Sequence, residues 1–403
     1  MTIVACSTPP GTSGIAVVRI SGKDAIKNVS NFIKDCPFNE KSPGSKICLL
    51  VDKDGLIFDE AVVTSYLGPN SYTGENLVEV SCHGNPNIVS KIIDLSVGGG
   101  ASLAEPGEFT KRAFLNGRLD LSEAESVSAI IHSKSIAGVK AGVKNLKGGL
   151  SKRIGLIKSD LVSVVANLEF NLDISEEDLQ PNLVKNSKRS LSKSAEILKS
   201  CVDAFNETRM FQLGASVVIL GPPNAGKSTL FNLLVNKNQS IVTEIEGTTR
   251  DVVEKNINID GLPIVLKDTA GIRESNNRVE KIGVERSLAE EKNADLVIVL
   301  NDAGRSFGKD KYVHVFNKSD INTPDGDYDV VVSAKTGDNI QKLKETIYKT
   351  LINEDIQHDT FLTSKRQRIA VESALKNIKD ALSLLLDGDS LESVSYTHLT
   401  LPT

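Results

Sequence analysis

The sequence predicts a chain of α/β and α class: a mixed α/β N-terminal region, a discontinuous helical bundle, and a doubly wound phosphate-loop domain inserted in that bundle. Three observations predict it. Residues 1–117 alternate short β-type runs with glycine and proline turns. Residues 118–212, and again those from 356 onward, carry apolar side chains at helical spacing. Between them, residues 213–355 alternate strand-like and helical runs around Gly221 to Ser228, GPPNAGKS, which fits G-x-x-x-x-G-K-[ST].

At 403 residues the chain exceeds one ordinary core, so two or three domains are expected. A charged fraction of 25% with mean hydropathy −0.11 predicts a soluble globular protein. No apolar run approaches the roughly 20 residues of a membrane span. Met1 to Gly11 lacks the basic start and apolar core of a secretory signal. The five cysteines are scattered without a C-x-x-C pair, which predicts reduced thiols, a cytoplasmic location and no zinc site. The net charge of −5 gives no global pull on nucleic acid, so RNA contact needs a local basic patch or a partner.

In the first region, Gly14 to Ile20 (GIAVVRI) reads as a strand ended by Ser21-Gly22. Ile47 to Val51 and Leu56 to Val63 flank the turn-type sequence Asp52-Lys53-Asp54-Gly55, a hairpin signal. Leu77 to Ser81 alternates like a half-buried strand, and Pro86 opens a helix to Leu95. In the helical region, Ile154, Ile157, Leu161, Val164 and Leu168 form one apolar seam. Leu191, Ala195, Leu198, Val202 and Phe205 form a second, and Val371, Leu375, Ile378, Leu382 and Leu385 a third, far downstream. Such stripes must bury against each other. The lysines of Lys185 to Lys199 read as a solvated helix face rather than an RNA patch. In the inserted region, Val253 to Ile259, Ile264 to Lys267, Leu296 to Leu300, Tyr312 to Phe316 and Asp329 to Val332 read as strands of a doubly wound sheet. After Leu391 the pattern stops, and Ser393 to Thr403 reads as a disordered tail, a truncation or foreign read-through.

The phosphate loop follows the apolar run Ala215 to Leu220 and precedes the helical run Thr229 to Val235. Backbone N–H groups of such a loop, with the positive end of the next helix, cradle phosphates. Lys227 would reach the outer phosphates and the Ser228 hydroxyl would ligate Mg2+. Four further segments specify the nucleotide. Asp268-Thr269-Ala270-Gly271 would hold Mg2+ through water and contact the terminal phosphate. Gly247-Thr248-Thr249-Arg250 offers a switch threonine to the metal. Asn317-Lys318-Ser319-Asp320 places a carboxylate to accept from guanine N1–H and N2–H2, a pair that adenine does not present. Ser333-Ala334-Lys335 offers a backbone N–H to guanine O6. Together the segments point to GTP. A buried polar site left unpaired by the wrong base rejects it strongly, so base choice rests on Asp320. Ras-like enzymes orient water with a glutamine just after the Asp-x-x-Gly segment; here that residue is Ile272. Glu280 is the candidate for orienting water, and Arg250 and Arg273 could stabilise transition-state charge.

With those residues placed, the chain resembles the tRNA modification GTPase family known as MnmE or TrmE, from Thr2 to about Leu391. TIVACSTPPGTSGIAVVRISG, SYTGENLVEVSCHG, EPGEFTKRAFLNGRLDLSEAE and GPPNAGKSTLFN look like family signatures, and a generic GTPase has no reason to carry the first three. The resemblance implies a tetrahydrofolate-binding and dimerisation domain over 1–117 and a helical domain in two parts, 118–212 and 356–392. It also implies a Ras-like G domain over 213–355, with 393–403 outside the family pattern. It places Arg19, Glu79 and Arg118 at the folate; the family often has Lys where Arg118 stands. It makes Asn224, Thr243, Ile245 (through its backbone) and Thr248 ligands of K+, Ser228 and Thr249 ligands of Mg2+, and Glu280 catalytic. The full nucleotide site it implies also includes Ala225, Gly226, Thr229, Glu244 and Glu246. The implied function is modification of the wobble uridine of certain tRNAs with an FAD-dependent MnmG-type partner, in a heterotetramer or larger complex. The folate would supply a one-carbon unit, as 5-formyl- or 5,10-methylene-tetrahydrofolate, and aminomethyl or carboxymethylaminomethyl groups would be installed at C5.

Two departures stand out. The family's closing Cys-x-Gly-Lys motif is not in this sequence, so the resemblance carries over GTP hydrolysis more directly than completion of the modification. The stretch between Leu300 and Tyr312 is shorter than is usual, which removes a surface helix rather than the guanine site. Two rival readings share the nucleotide segments. One is a ribosome-assembly GTPase, which would need a KH-type domain or a second G domain. The other is a scaffold that only senses nucleotide.

Overall fold

The computed structural model describes residues 1–34, 43–172, 181–238, 253–268, 290–302, 311–352 and 362–387. The chain divides into two compact units, Met1–Val127 and Ser128–Thr403.

The first unit contains β1 (Ile3–Cys6), β2 (Ser13–Ser21), α1 (Ala25–Ser30), β3 (Ile33–Lys34), β4 (Gly44–Val51), β5 (Ile57–Tyr66), β6 (Leu77–Gly84), α2 (Pro86–Gly98), β7 (Ser102–Leu103), α3 (Glu108–Leu115) and the start of α4 (Leu121–His132). The strands make one sheet in the order β3-β4-β5-β6-β2-β1-β7. Alternation decides the faces: Ala16, Val18 and Ile20 of β2 are buried and join Val63, Val78, Val80 and Ile92 in a single core. The expected hairpin is there, and Asp52 closes it by accepting from the Asp54 and Leu56 amides, each at 3.0 Å. Asn85 caps α2 by accepting from Asn87 N at 2.9 Å, with Pro86 in the first turn. Helix α3 was not expected from the sequence. It starts at Gly107, whose φ of +77° favours glycine, and is only eight residues long, too short to show a periodic face.

The second unit continues with α5 (Ile136–Leu146), α6 (Gly149–Leu172), α7 (Pro181–Asp203), α8 (Phe205–Leu213), β8 (Ala215–Leu220), α9 (Lys227–Asn238), β9 (Val253–Ile259), β10 (Leu262–Asp268), β11 (Leu296–Leu300), β12 (Tyr312–Phe316), β13 (Val330–Val331), α10 (Ile340–Leu351) and α11 (Lys365–Asp387). The three seams meet: Ile157, Leu161 and Leu168 of α6, Leu191 and Leu198 of α7, and Leu375 and Ile378 of α11 share one hydrophobic cluster. Phe205 belongs to that cluster but opens α8, so the second seam crosses a helix break at Ala204.

The second sheet runs β13-β12-β11-β8-β10-β9, parallel except for β9, which pairs antiparallel with β10. Its central strand β11, LVIVL, is buried throughout, as expected of a parallel strand covered on both faces. Leu296, Ile298 and Leu300 enter one core and Val297 and Val299 the other. No helix among the described residues is long and apolar enough to cross a membrane. Cys6, Cys82 and Cys201 are free thiols, whereas Cys48 is disulfide-bonded, a departure from the all-thiol expectation.

Candidate functional site

The phosphate loop lies between the C-terminal end of β8 and the first turn of α9, where a doubly wound sheet presents its ligand site. Two glycines are dictated by space. At Gly221, φ is +151° and a Cβ would lie 2.6 Å from the Leu300 carbonyl oxygen. At Gly226, φ is +91° and a Cβ would collide with Asn317 Nδ2. Asn224 takes φ +63°, a conformation asparagine tolerates better than most residues, and is exposed. Lys227 Nζ donates to the carbonyls of Gly221 at 2.9 Å and Pro222 at 2.8 Å, which holds the ammonium over the loop. Ser228 and Thr229 are exposed on the first turn of α9. The helix N-terminus and the loop amides together make an anion cradle.

Asp268 ends β10 in register with Ile219, two residues before the loop, so Asp268 and the phosphate loop reach the same edge of the sheet. Thr243, Glu244, Ile245, Glu246, Gly247, Thr248, Thr249, Thr269, Ala270, Gly271, Ile272 and Glu280 lie outside the described residues, as do Arg250 and Arg273.

The base side is tied to the phosphate side by Asn317, which is 1% exposed. Its Nδ2 donates to the Ala225 carbonyl at 2.8 Å, and its Oδ1 accepts from Ala334 N at 2.9 Å. One buried amide thus clamps the phosphate loop, the Asn317–Asp320 turn and the Ser333–Lys335 turn. Lys318 takes φ +70°, and Asp320 is exposed. Ser333, fully buried, donates from Oγ to Asp320 Oδ1 at 2.7 Å and accepts from Thr336 N at 3.2 Å. The Ser333 hydroxyl therefore fixes the orientation of the Asp320 carboxylate. The sequence reading missed Asn301. It follows β11 at φ +50°, and its Oδ1 accepts from Asn317 N at 2.6 Å, so it sets the clamp's own backbone. The signal was an asparagine directly after a buried strand.

In the first unit, Arg19 and Glu79 are cross-strand partners on β2 and β6. Arg19 donates from Nε at 2.9 Å and from Nη2 at 2.6 Å to the same Glu79 oxygen. The guanidinium carbon stands 5.1 Å from the Tyr72 ring centroid and 5.5 Å from that of Phe109. Tyr66 O–H reaches Glu79 Oε2 at 3.5 Å, and burial followed by the Glu79 charge pushes its phenol up. Arg118 Nε donates to Ser71 O at 3.1 Å, beside Tyr72. Asn116 fastens the same loop by donating to Thr73 O at 2.7 Å, and Tyr72 O–H pairs with Thr110 Oγ1 at 2.8 Å. The structure thus brings Arg19, Glu79 and Arg118 to one loop, with two aromatic rings that sequence reasoning did not single out. Those rings lie inside the quoted signatures, but nothing local marks them as facing Arg19.

Fold and site define a P-loop nucleotide-binding protein whose base loops carry the residues of a GTPase. Comparison with known proteins goes further. A family model for the GTP-binding protein TrmE N-terminus matches residues 2–118, and one for the MnmE helical domain matches residues 121–400. The tRNA modification GTPases MnmE of Thermotoga maritima and Thermotoga petrophila are each 38% identical over 98% of this chain and 92% of their own length. The chain belongs to the MnmE family and is a GTP hydrolase of that tRNA-modification class. Among solved structures, a variant of Era from Aquifex aeolicus is 26% identical over 40% of this chain and 66% of its own, with a TM-score of 0.26.

Proposed function

We propose that the chain is a potassium-stimulated GTPase that modifies C5 of the wobble uridine of certain tRNAs, together with an FAD-dependent MnmG-type partner. The observation that carries this reading is the Arg19–Glu79 pair between Tyr72 and Phe109 with Arg118 on the same loop. A generic GTPase has no use for such a cluster. Its chemistry fits a reduced folate: aromatic faces for the pterin, a carboxylate to accept from pterin N–H groups, and guanidinium groups for the glutamyl tail. The folate, when bound, supplies the one-carbon unit at the methylene oxidation level. This chain's residues bind and orient it.

In the same reading the loop amides and Lys227 hold the phosphates, and Ser228 and Thr249 ligate Mg2+. Asn224, Thr243, the Ile245 carbonyl and Thr248 would hold potassium. Held there, it would supply the charge stabilisation that an arginine finger supplies elsewhere. Glu280 orients the attacking water, since Ile272 has no acceptor. Asp320, aimed by Ser333, reads guanine. GTP turnover drives conformational change rather than carbon transfer.

The domains are 1–117 for folate and homodimerisation, 118–212 with 356–392 for the helical bundle, and 213–355 for the G domain. The shared core of α6, α7 and α11 supports the bundle. A cytoplasmic location suits a tRNA substrate. Calorimetry with 5-formyltetrahydrofolate tests the folate reading. Saturable binding that is lost in Arg19→Ala supports it; absence of binding in the wild-type chain defeats it.

A further inference from the structure

The chain's charge is unevenly placed. Between Ser133 and Ser159 there are seven lysines and arginines and no aspartate or glutamate, in a protein whose net charge is −5. Without these seven cations the remainder stands at −12. The structure places the segment at one corner. Helix α5 carries Lys140 and Lys144 at i,i+4 spacing on one face, and Lys147 is its C-cap. The three span about 10 Å along the helix. Gly148, at φ +79°, turns the chain into α6. A Cβ on Gly149 would lie 2.8 Å from Lys144 O, so the start of α6 sits directly against the last turn of α5. Lys152 follows one turn into α6 and Lys158 two turns later. All five of these lysines are exposed.

A solvated helix face normally interleaves acids at i,i+4, which relieves the repulsion. Here the first acid is Asp160, and like charges are gathered around a tight corner. A surface field of one sign draws anionic partners to it. The segment contains no Phe, Tyr or Trp, so it offers phosphate contacts and no stacking platform for bases. We propose that the α5–α6 corner docks the phosphate backbone of tRNA, independently of base sequence. This rests on the tRNA-modification reading above and places the tRNA body on this corner. The lysines of Lys185 to Lys199, which the sequence marks as a solvated helix face, are by contrast interrupted by Glu196.

The test is binding of an unmodified tRNA transcript to the full chain at 50 and 200 mM KCl. It compares the wild type, the triple variant Lys140→Glu/Lys144→Glu/Lys147→Glu, and a control with the same charge change on α10, Lys342→Glu/Lys344→Glu/Lys349→Glu. GTP turnover checks that each variant is folded, and Lys140→Gln/Lys144→Gln replaces the triple variant if it is not. The expected result is tRNA affinity at least tenfold weaker in the corner variant and within about threefold of wild type in the control. The salt slope should fall by about 2, since each phosphate contact contributes roughly 0.7–0.9. Equal losses in both variants, or no tRNA binding by the wild type, would overturn it. So would a corner variant that keeps tRNA but no longer captures the FAD-dependent partner, because the corner would then be a protein interface. Wobble-nucleoside analysis of tRNA from cells carrying the wild-type chain judges the modification reading separately.

Discussion

Asn317 Nδ2 donates to the carbonyl oxygen of Ala225 at 2.8 Å across 92 residues of sequence. This bond makes the phosphate cradle and the base loops one object. Asn317→Ala would leave the Ala225 carbonyl and the Ala334 amide without their partner in a buried place. An unsatisfied buried group costs about 1–3 kcal/mol. The expected outcome is a melting temperature lower by several degrees and GTP affinity weaker by tenfold or more, read by thermal melts and titration with a fluorescent nucleotide.

Asp320 is held by the Ser333 hydroxyl at 2.7 Å. Asp320→Asn replaces one acceptor oxygen with a donor amide, which then faces a guanine N–H. Xanthine carries a carbonyl where guanine carries its 2-amino group. The variant should therefore lose GTP affinity by about 10²-fold or more and gain affinity for xanthosine triphosphate, since an unpaired polar site discriminates strongly. Competition binding with the two nucleotides checks this. Ser333→Ala should weaken GTP binding in the same direction but by less.

Leu198 is fully buried in the core shared by α6, α7 and α11. Leu198→Ala should destabilise the helical part by about 2–5 kcal/mol. Leu198 lies outside the cluster under the nucleotide sheet, so GTP affinity below the melting transition should be unchanged. Chemical denaturation with a nucleotide titration separates the two.

Glu108 accepts from the Glu105 amide at 2.8 Å, with Arg112 beside it, and these hold its carboxyl below the ordinary value of 4.5. The folded state therefore favours the ionised form. Its contribution is fully present above the ordinary value and is lost as pH falls through the lower folded value. Glu108→Gln should lower the melting temperature at pH 7, and the gap from wild type should close as the pH falls below 4.5 and through the lower folded value. Melting curves across that range decide it.

Much of this was legible in the sequence because the residues act locally. The phosphate loop needs glycine where Leu300 and Asn317 crowd the backbone, so Gly221 and Gly226 show in the sequence itself. The seams of α6, α7 and α11 were legible because a buried helix face repeats every three or four residues. The paired strands β4 and β5 were legible from the Asp52 turn. What escaped depends on distant partners. Arg19 and Glu79 meet only because β2 and β6 pair, and the rings of Tyr72 and Phe109 reach Arg19 from two different segments. Asn301 supports Asn317 from another strand, and an isolated asparagine carries no pattern. Helix α3 depends on the left-handed Gly107 and on the Glu108 carboxylate accepting from the Glu105 amide, signals that read equally well as a turn.

The most direct test is the steady-state GTP hydrolysis rate of the full chain with Mg2+, compared in KCl and in NaCl at equal ionic strength. Hydrolysis that is faster in potassium by an order of magnitude or more, and that slows sharply in Asn224→Ala while GTP still binds, is the expected result. Equal rates in the two salts, or no hydrolysis in either, would contradict it.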